Sequence, residues 1–143
     1  MREAAVSRET PDGAGLPPTL EDVQRLAEAA VAALPDWALQ AAGPFLLRVE
    51  DFAEQEVLDD LGIEDPFELT GLYDGVALTE RRHDDIPGPP DTVWLFRRPI
   101  LDEWIDRGDV TLAALVAHVL VHEMAHHFGW SDARIASIDR WWD

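Results

Sequence analysis

The 143-residue chain contains no cysteine. This absence excludes a disulfide scaffold, thiolate zinc fingers, iron–sulfur clusters and a cysteine nucleophile, and it fits a reducing compartment. A chain of this length can bury roughly two-thirds of its unfolded surface, so it needs no disulfide or metal to fold. Hydrophobic residues make up 47% and charged residues 28% of the chain, which is the composition of one globular domain.

Positive charge is scarce. The chain has 11 Lys and Arg residues against 29 Asp and Glu residues, which gives a formal net charge of −18 at pH 7. Such an acidic surface repels phosphate backbones and anionic lipid headgroups, so we expect neither nucleic acid nor a membrane surface as a partner. It attracts metal cations and basic peptides, although solubility alone explains most of the charges.

Long hydrophobic runs are missing as well. Residues 1–18 have no apolar core of the length that an export signal needs. The apolar stretch Leu112–Val121 is interrupted by His118 and falls far short of the roughly 20 residues that span a bilayer. We therefore expect a soluble, cytoplasmic protein.

The N-terminal segment 1–18 is rich in proline, glycine and charge without periodicity, which predicts a mobile tail before a single domain over 19–143. Thr19 is a candidate N-cap, with Asp22 three residues further on as a substitute for the Glu of a capping box. Apolar residues at helical spacing follow as far as Pro35, which predicts an amphipathic helix.

Two short apolar runs, Phe45–Phe52 and Val93–Arg98, predict β-strands. An Asp-Gly pair at 74–75 is typical of a two-residue hairpin turn, although the arm that precedes it could equally be irregular. Three prolines within 83–92 predict a loop. Because predicted helices surround these strands, the pattern indicates an α+β fold with helices packed on one small sheet.

Glycine and proline mark the ends of the remaining predicted helices. In chain order these are Ala53–Leu61 before Gly62, Ile100–Arg107 between Pro99 and Gly108, a long helix from Asp109 or Thr111 to Phe128, and a last helix capped by Ser131 or Asp132 that carries Ile135, Ile138, Trp141 and Trp142.

The residues that carry chemistry lie in the long helix and read HEMAH, an H-E-x-x-H motif. A helix turns by about 100° per residue, so His122 and His126 stack on one face and can bind one metal ion. Glu123 is offset by one position, where it can act on a water at the metal without being a ligand. A metalloprotease needs this division of labour.

The next residues extend the motif to H-E-x-x-H-x-x-G-x-x-D. Gly129 can adopt a positive φ and turn the chain back, which would bring the Asp132 carboxylate towards the same metal. Two imidazoles, one carboxylate and a water would complete an open catalytic site around one Zn²⁺ per chain, although iron or manganese also suits these ligands. Asp132 could instead cap the last helix unless Ser131 does so, and Asp139 is the next candidate ligand.

The extended pattern resembles the metzincin signature, with Asp in place of the usual third His. A Met-turn is missing, however, because the only methionines are Met1 and Met124, and few residues follow Asp132. The alternative zincin pattern, in which a distant Glu is the third metal ligand, is excluded because no Glu follows Glu123.

The closer resemblance is to the small bacterial zincin-like metallopeptidases, and it covers about Leu34 to Trp142. It rests on VHEMAHHFGWSD, with support from DLGI, GLYDGVALTER and the strand before Arg-Arg-Pro. The resemblance implies a minimal zincin fold, with a small mixed sheet against the helix that holds the metal. It also implies His122, His126 and Asp132 as metal ligands and Glu123 as the catalytic base.

Three neighbouring side chains have competing interpretations. His118, one turn before His122, could lie behind the metal ligands or be a packed, hydrogen-bonded histidine. His127 points about 100° away from the His122–His126 face, which favours an outer or structural role. Tyr73 could stabilise an oxyanion, but simple packing is favoured.

These observations predict a zinc-dependent peptidase, monomeric, that acts on a peptide or protein substrate. The substrate could lie extended along the edge of the sheet, with the Val93–Arg98 strand as the candidate edge. The alternative is a binding domain that keeps the metal for stability or sensing without useful peptidase activity. An interaction domain with no metal at all is a third possibility.

Overall fold

A computed structural model describes residues 16–75 and 91–138 of the chain. In chain order these residues form α1 (Leu20–Ala32), α2 (Asp36–Ala42), β1 (Leu46–Glu50), α3 (Gln55–Leu61), a 3-10 turn (Pro66–Glu68), β2 (Gly71–Asp74), β3 (Thr92–Phe96), α4 (Arg97–Arg107), α5 (Leu112–Phe128) and α6 (Asp132–Ile138). The α+β architecture with a small mixed sheet is confirmed.

Capping interactions define the ends of the main helices. The Thr19 hydroxyl accepts a hydrogen bond from the Asp22 N–H at 3.1 Å, and the Asp22 carboxylate accepts one from the Thr19 N–H at 2.8 Å, so the predicted capping box begins α1. Thr111, rather than Asp109, caps α5. Gly129 ends α5 in the left-handed conformation, with φ +67°, which a residue with a side chain adopts at a cost.

The start of α4 differs from the prediction. The helix begins at Arg97, directly after β3, so Pro99 is its third residue rather than its first. This costs little, because the first four N–H groups of a helix have no partner within the helix, and a proline among them removes no helical hydrogen bond. The strand therefore ends at Phe96 instead of Arg98.

The described sheet has three strands in the order β1-β3-β2. β1 pairs with β3 in parallel, with Leu46 opposite Thr92, and β2 pairs with β3 antiparallel, with Gly71 opposite Leu95. The expectation that this strand offers a free edge to a substrate is wrong, because β3 is central and hydrogen-bonded on both sides. All its residues except Trp94 are buried.

Helix α5 is the support on which the candidate site is built. Eight of its 17 residues are buried, because it packs against α1, β2 and β3 together. Each Leu or Val buried in this way contributes about 1.5–3 kcal/mol, so the helix is held firmly along most of its length. None of the described helices is long and apolar enough to cross a membrane.

Several predictions fall on residues outside the described ranges. These are most of the predicted tail, the second arm of the hairpin with most of the loop after it, Asp139 and the Trp141–Trp142 pair. The division into a tail and one domain stays a prediction.

Candidate metal centre and active site

Two neighbouring rows of side chains on α5 define the site. His118, His122 and His126 follow one another at intervals of four residues, and Glu123 and His127 belong to the next row, which faces β2. Because successive residues are about 100° apart around the helix axis, the two rows lie next to each other on the helix surface. The helix thus presents a histidine face next to a seam with the sheet.

The histidine face has the two candidate ligands one turn apart. The ring centroids of His122 and His126 are 6.5 Å apart and their planes meet at 78°. His122 is half-buried, whereas His126 is exposed. His118 lies closer to His122, with centroids 4.2 Å apart, and this ring contact agrees with the interpretation that His118 is a packed histidine.

Glu123 lies between the histidine face and β2. Its carboxylate accepts a hydrogen bond from the backbone N–H of Tyr73. Burial raises the pKa of this carboxyl above its ordinary value, although His126, the Tyr73 N–H and His122 each oppose the shift. A carboxyl whose pKa is raised in this way takes up a proton more readily than an exposed one, which suits a general base.

The strand reaches Glu123 because Gly71 has no side chain. A Cβ atom at this position would lie 2.8 Å from Val119 Cγ1, 3.1 Å from Glu123 Cγ and 3.2 Å from the backbone oxygen of Trp94. Sequence reasoning included Gly71 only as part of a family segment and missed this contact. A single sequence gives no signal for it, because the close approach exists only once β2 and α5 are packed together.

β2 directs some of its backbone groups towards the site. The Phe96 N–H donates to the Thr70 oxygen at 2.9 Å. Thr70 and Phe96 are thus a hydrogen-bonded pair, and such pairs alternate with non-hydrogen-bonded pairs in an antiparallel ladder. The next pair, Gly71 with Leu95, and the pair of Tyr73 with Val93 are therefore not hydrogen-bonded, so the backbone groups of Gly71 and Tyr73 point away from β3. Within the described part of the chain β2 is an edge of the sheet, and this outward edge lies beside Glu123.

Asp132 is the first residue of α6, beyond the turn at Gly129. The Ser131 hydroxyl accepts a hydrogen bond from the Arg134 N–H at 3.2 Å and so caps the helix. The Asp132 carboxylate is therefore not used as the cap, and its residue is exposed. Of the two caps that the sequence allows, the structure uses the one that leaves Asp132 available.

Aromatic contacts hold α6 in its place. The rings of Trp37 and Trp130 meet edge to face with centroids 5.0 Å apart. The Arg134 guanidinium lies over the Trp37 ring at 4.7 Å from its centroid, an arrangement that attracts a cation to the ring face. These contacts join α6, and hence Asp132, to α2. Sequence reasoning did not find them, because Trp37 is far from the motif in the chain.

The three predicted ligands are not gathered into one group. Within 16–75 and 91–138, no set of three or more His, Cys, Asp or Glu side chains is arranged to hold a metal ion. His122 and His126 share a helix face, whereas Asp132 lies apart on α6. Ligation by Asp132 stays a prediction, and the alternative Asp139 is outside the described residues.

His127 and Tyr73 pack against each other rather than facing the histidine row. Their rings stack with centroids 3.8 Å apart and planes 14° from parallel. The Tyr73 hydroxyl oxygen is buried. This geometry supports packing for Tyr73 over a role as oxyanion donor, and it supports the structural role for His127.

Comparison with known proteins adds one positive finding. Residues 45–142 match the sequence profile of the zincin-like metallopeptidases, and this range includes β1, β2, β3 and the whole H-E-x-x-H helix. Among curated proteins, the comparison finds no match.

Proposed function

Because the chain belongs to the zincin-like metallopeptidase family, we propose that it is a zinc-dependent peptidase. Glu123 is the general base, and His122, His126 and Asp132 bind one zinc ion. The observation that carries this proposal is the position of Glu123, half-buried beside two histidines and hydrogen-bonded to the outer edge of β2.

The donor set suits zinc. Two imidazoles and one carboxylate are a ligand set of catalytic zinc sites, with a fourth position left open. The imidazole centroids, 6.5 Å apart, lie on one side of the helix, the arrangement in which side chains four residues apart can bind one ion. The Ser131 cap supports the assignment of Asp132, since it leaves that carboxylate available.

When bound, zinc supplies Lewis-acid chemistry that polarises the scissile carbonyl and acidifies water. The protein supplies the proton transfer. The Glu123 carboxylate takes a proton from the attacking water and then gives it to the nitrogen of the leaving amine. The hydrogen bond from the Tyr73 N–H fixes the carboxylate in its orientation while the proton is held.

The substrate lies along β2 rather than β3. A peptide in extended conformation can add to an open sheet edge, where main-chain hydrogen bonds provide much of the affinity. Within the described residues, the outward backbone groups of β2 are those of Gly71 and Tyr73, and because the Tyr73 N–H already donates to Glu123, the Gly71 groups are the ones offered to a peptide. This edge would place a peptide bond of the substrate near the base.

Three substitutions test the proposal. Glu123→Gln keeps the size of the side chain but removes the base, so we expect full zinc binding and no hydrolysis of a peptide library. Glu56→Gln is the matched control, because Glu56 is exposed on α3, and it is expected to keep both properties. His122→Ala is expected to lose both zinc and activity.

Loss of zinc in Glu123→Gln would contradict the assignment of Glu123 as a base that does not bind the metal. A wild-type protein that binds zinc but hydrolyses no peptide in the library would instead support a metal-binding domain.

A further inference from the structure

The seam between β2 and α5 has a simple register. Val119, Glu123 and His127 recur every four residues, which is a rise of about 6.0 Å along the helix axis. Gly71 and Tyr73 recur every two residues, which is a rise of about 6.6 Å along the strand. Because the two spacings nearly match, Gly71 fits against Val119 and Glu123, and Tyr73 fits against Glu123 and His127.

The contact between His127 and Tyr73 is the far end of this seam. The two rings stack face to face at 3.8 Å, and Phe128 packs with its ring edge-on against both, at 5.5 Å from Tyr73 and 4.8 Å from His127. The side chain of His127 is only 5% exposed. A stack this enclosed can shift only if several rings move together.

Asp91 anchors the same end of β2 from the side of β3. Its carboxylate Oδ2 lies 3.9 Å from His127 Nε2, and the side chain is 8% exposed. It also lies against Gly75, where a Cβ atom would come within 2.8 Å of the Asp91 carboxyl carbon. The backbone of Asp91 is fixed in turn, since its oxygen accepts a hydrogen bond from the Leu46 N–H at 2.8 Å.

We propose that His127 is a positioning residue, which through its stack with Tyr73 fixes the register of β2 on α5 and keeps the Tyr73 N–H on the Glu123 carboxylate. The role of His127 in the reaction rests on the proposed peptidase function, but its role in the seam does not. His127 is outside the histidine face that carries His122 and His126, so it acts on the base without binding the metal.

Two substitutions of His127 separate stacking from bulk. His127→Leu replaces the ring by an aliphatic side chain of similar size, whereas His127→Phe keeps a ring that can stack. The first readout is the hydrogen-exchange rate of the Tyr73 amide, which needs no catalysis. We expect exchange to be faster by about tenfold or more in His127→Leu and close to wild type in His127→Phe.

The second readout is kinetic. If a displaced β2 leaves Glu123 misoriented, His127→Leu lowers kcat by about ten- to a hundredfold. Zinc affinity and KM stay within about twofold of wild type, and His127→Phe restores kcat. A purely structural role would lower the melting temperature of both variants without this split between kcat and KM and without rescue by Phe.

Tyr73→Leu approaches the same stack from the strand and serves if His127→Leu does not fold. It is expected to accelerate exchange at the residue-73 amide in the same way. Wild-type exchange at this amide in a folded His127→Leu or Tyr73→Leu variant overturns the proposal, whether or not the protein is a peptidase. If the variants accelerate exchange at this amide but the wild-type protein has no peptidase activity, the role of His127 in the contact between β2 and α5 is supported. Only the proposed peptidase function is then refuted.

Discussion

Replacement of Gly71 by alanine is the most direct way to disturb the contact between β2 and the candidate base. The new Cβ would lie 2.8 Å from Val119 Cγ1, 3.1 Å from Glu123 Cγ and 3.2 Å from the backbone oxygen of Trp94. Val119 is 5% exposed and cannot swing into solvent. The strand therefore has to move away from α5, and the Tyr73 N–H moves with it.

The cost can be estimated from the behaviour of overpacked cores. Insertion of one methyl group into such a contact destabilises by about 1–3 kcal/mol. For a chain of this length that is about 3–10 °C in melting temperature. A displacement of the base by about 1 Å lowers kcat by up to about a hundredfold. On one preparation, thermal unfolding measures the melting temperature, steady-state kinetics measures kcat, and zinc titration measures the zinc affinity. The zinc affinity is expected to change little.

Gly62→Ala is the matched control. Gly62 has φ +72° and no atom within 4 Å of the position of a new Cβ, so alanine there is strained but meets no neighbour. It is expected to lose about 1–2 kcal/mol of stability through the left-handed backbone alone and to keep kcat. A Gly71→Ala protein as stable and as active as wild type would refute the close contact between strand and helix.

Three further outcomes follow from the described contacts. Trp37→Ala removes the ring that holds α6, so we expect a loss of about 1–3 kcal/mol in unfolding free energy and weaker zinc binding, measured by chelator competition. Ser131→Ala removes the cap and allows Asp132 to replace it, which should also weaken zinc binding while costing about 0.5–2 kcal/mol. Burial raises the pKa of Glu123, so the contribution of this carboxyl to the stability of the metal-free protein is fully present below the ordinary value of 4.5 and is lost as pH rises through the raised value. Urea titration should show Glu123→Gln to be more stable than wild type at pH 7, with the advantage lost below pH 4.5.

The helix ends could be predicted because their signals are local. Thr19 with Asp22, Thr111, Gly62 and Gly129 each act on backbone groups a few residues away, and the structure uses all of them. The pairing of strands is not local. The sequence shows β3 as an apolar strand, but nothing within it tells whether it lies at the centre or at the edge of the sheet.

The same distinction separates the parts of the site. The spacing of His122, Glu123 and His126 could be predicted because one helix carries all three. The Gly71 contact and the Tyr73–His127 stack could not, since they join segments that are far apart in the chain. Asp132 lies on α6, which contacts α2 through the Arg134 guanidinium over the Trp37 ring, and the motif gives no information about this contact.

Zinc content is the first property of the proposed metal site to measure. Wild type, Glu123→Gln and His122→Ala are purified side by side, offered zinc, dialysed against metal-free buffer and analysed by plasma mass spectrometry. The proposed site predicts about one zinc ion per chain in wild type and in Glu123→Gln, and none in His122→Ala. Absence of zinc from wild type, or an unchanged content in His122→Ala, would contradict it.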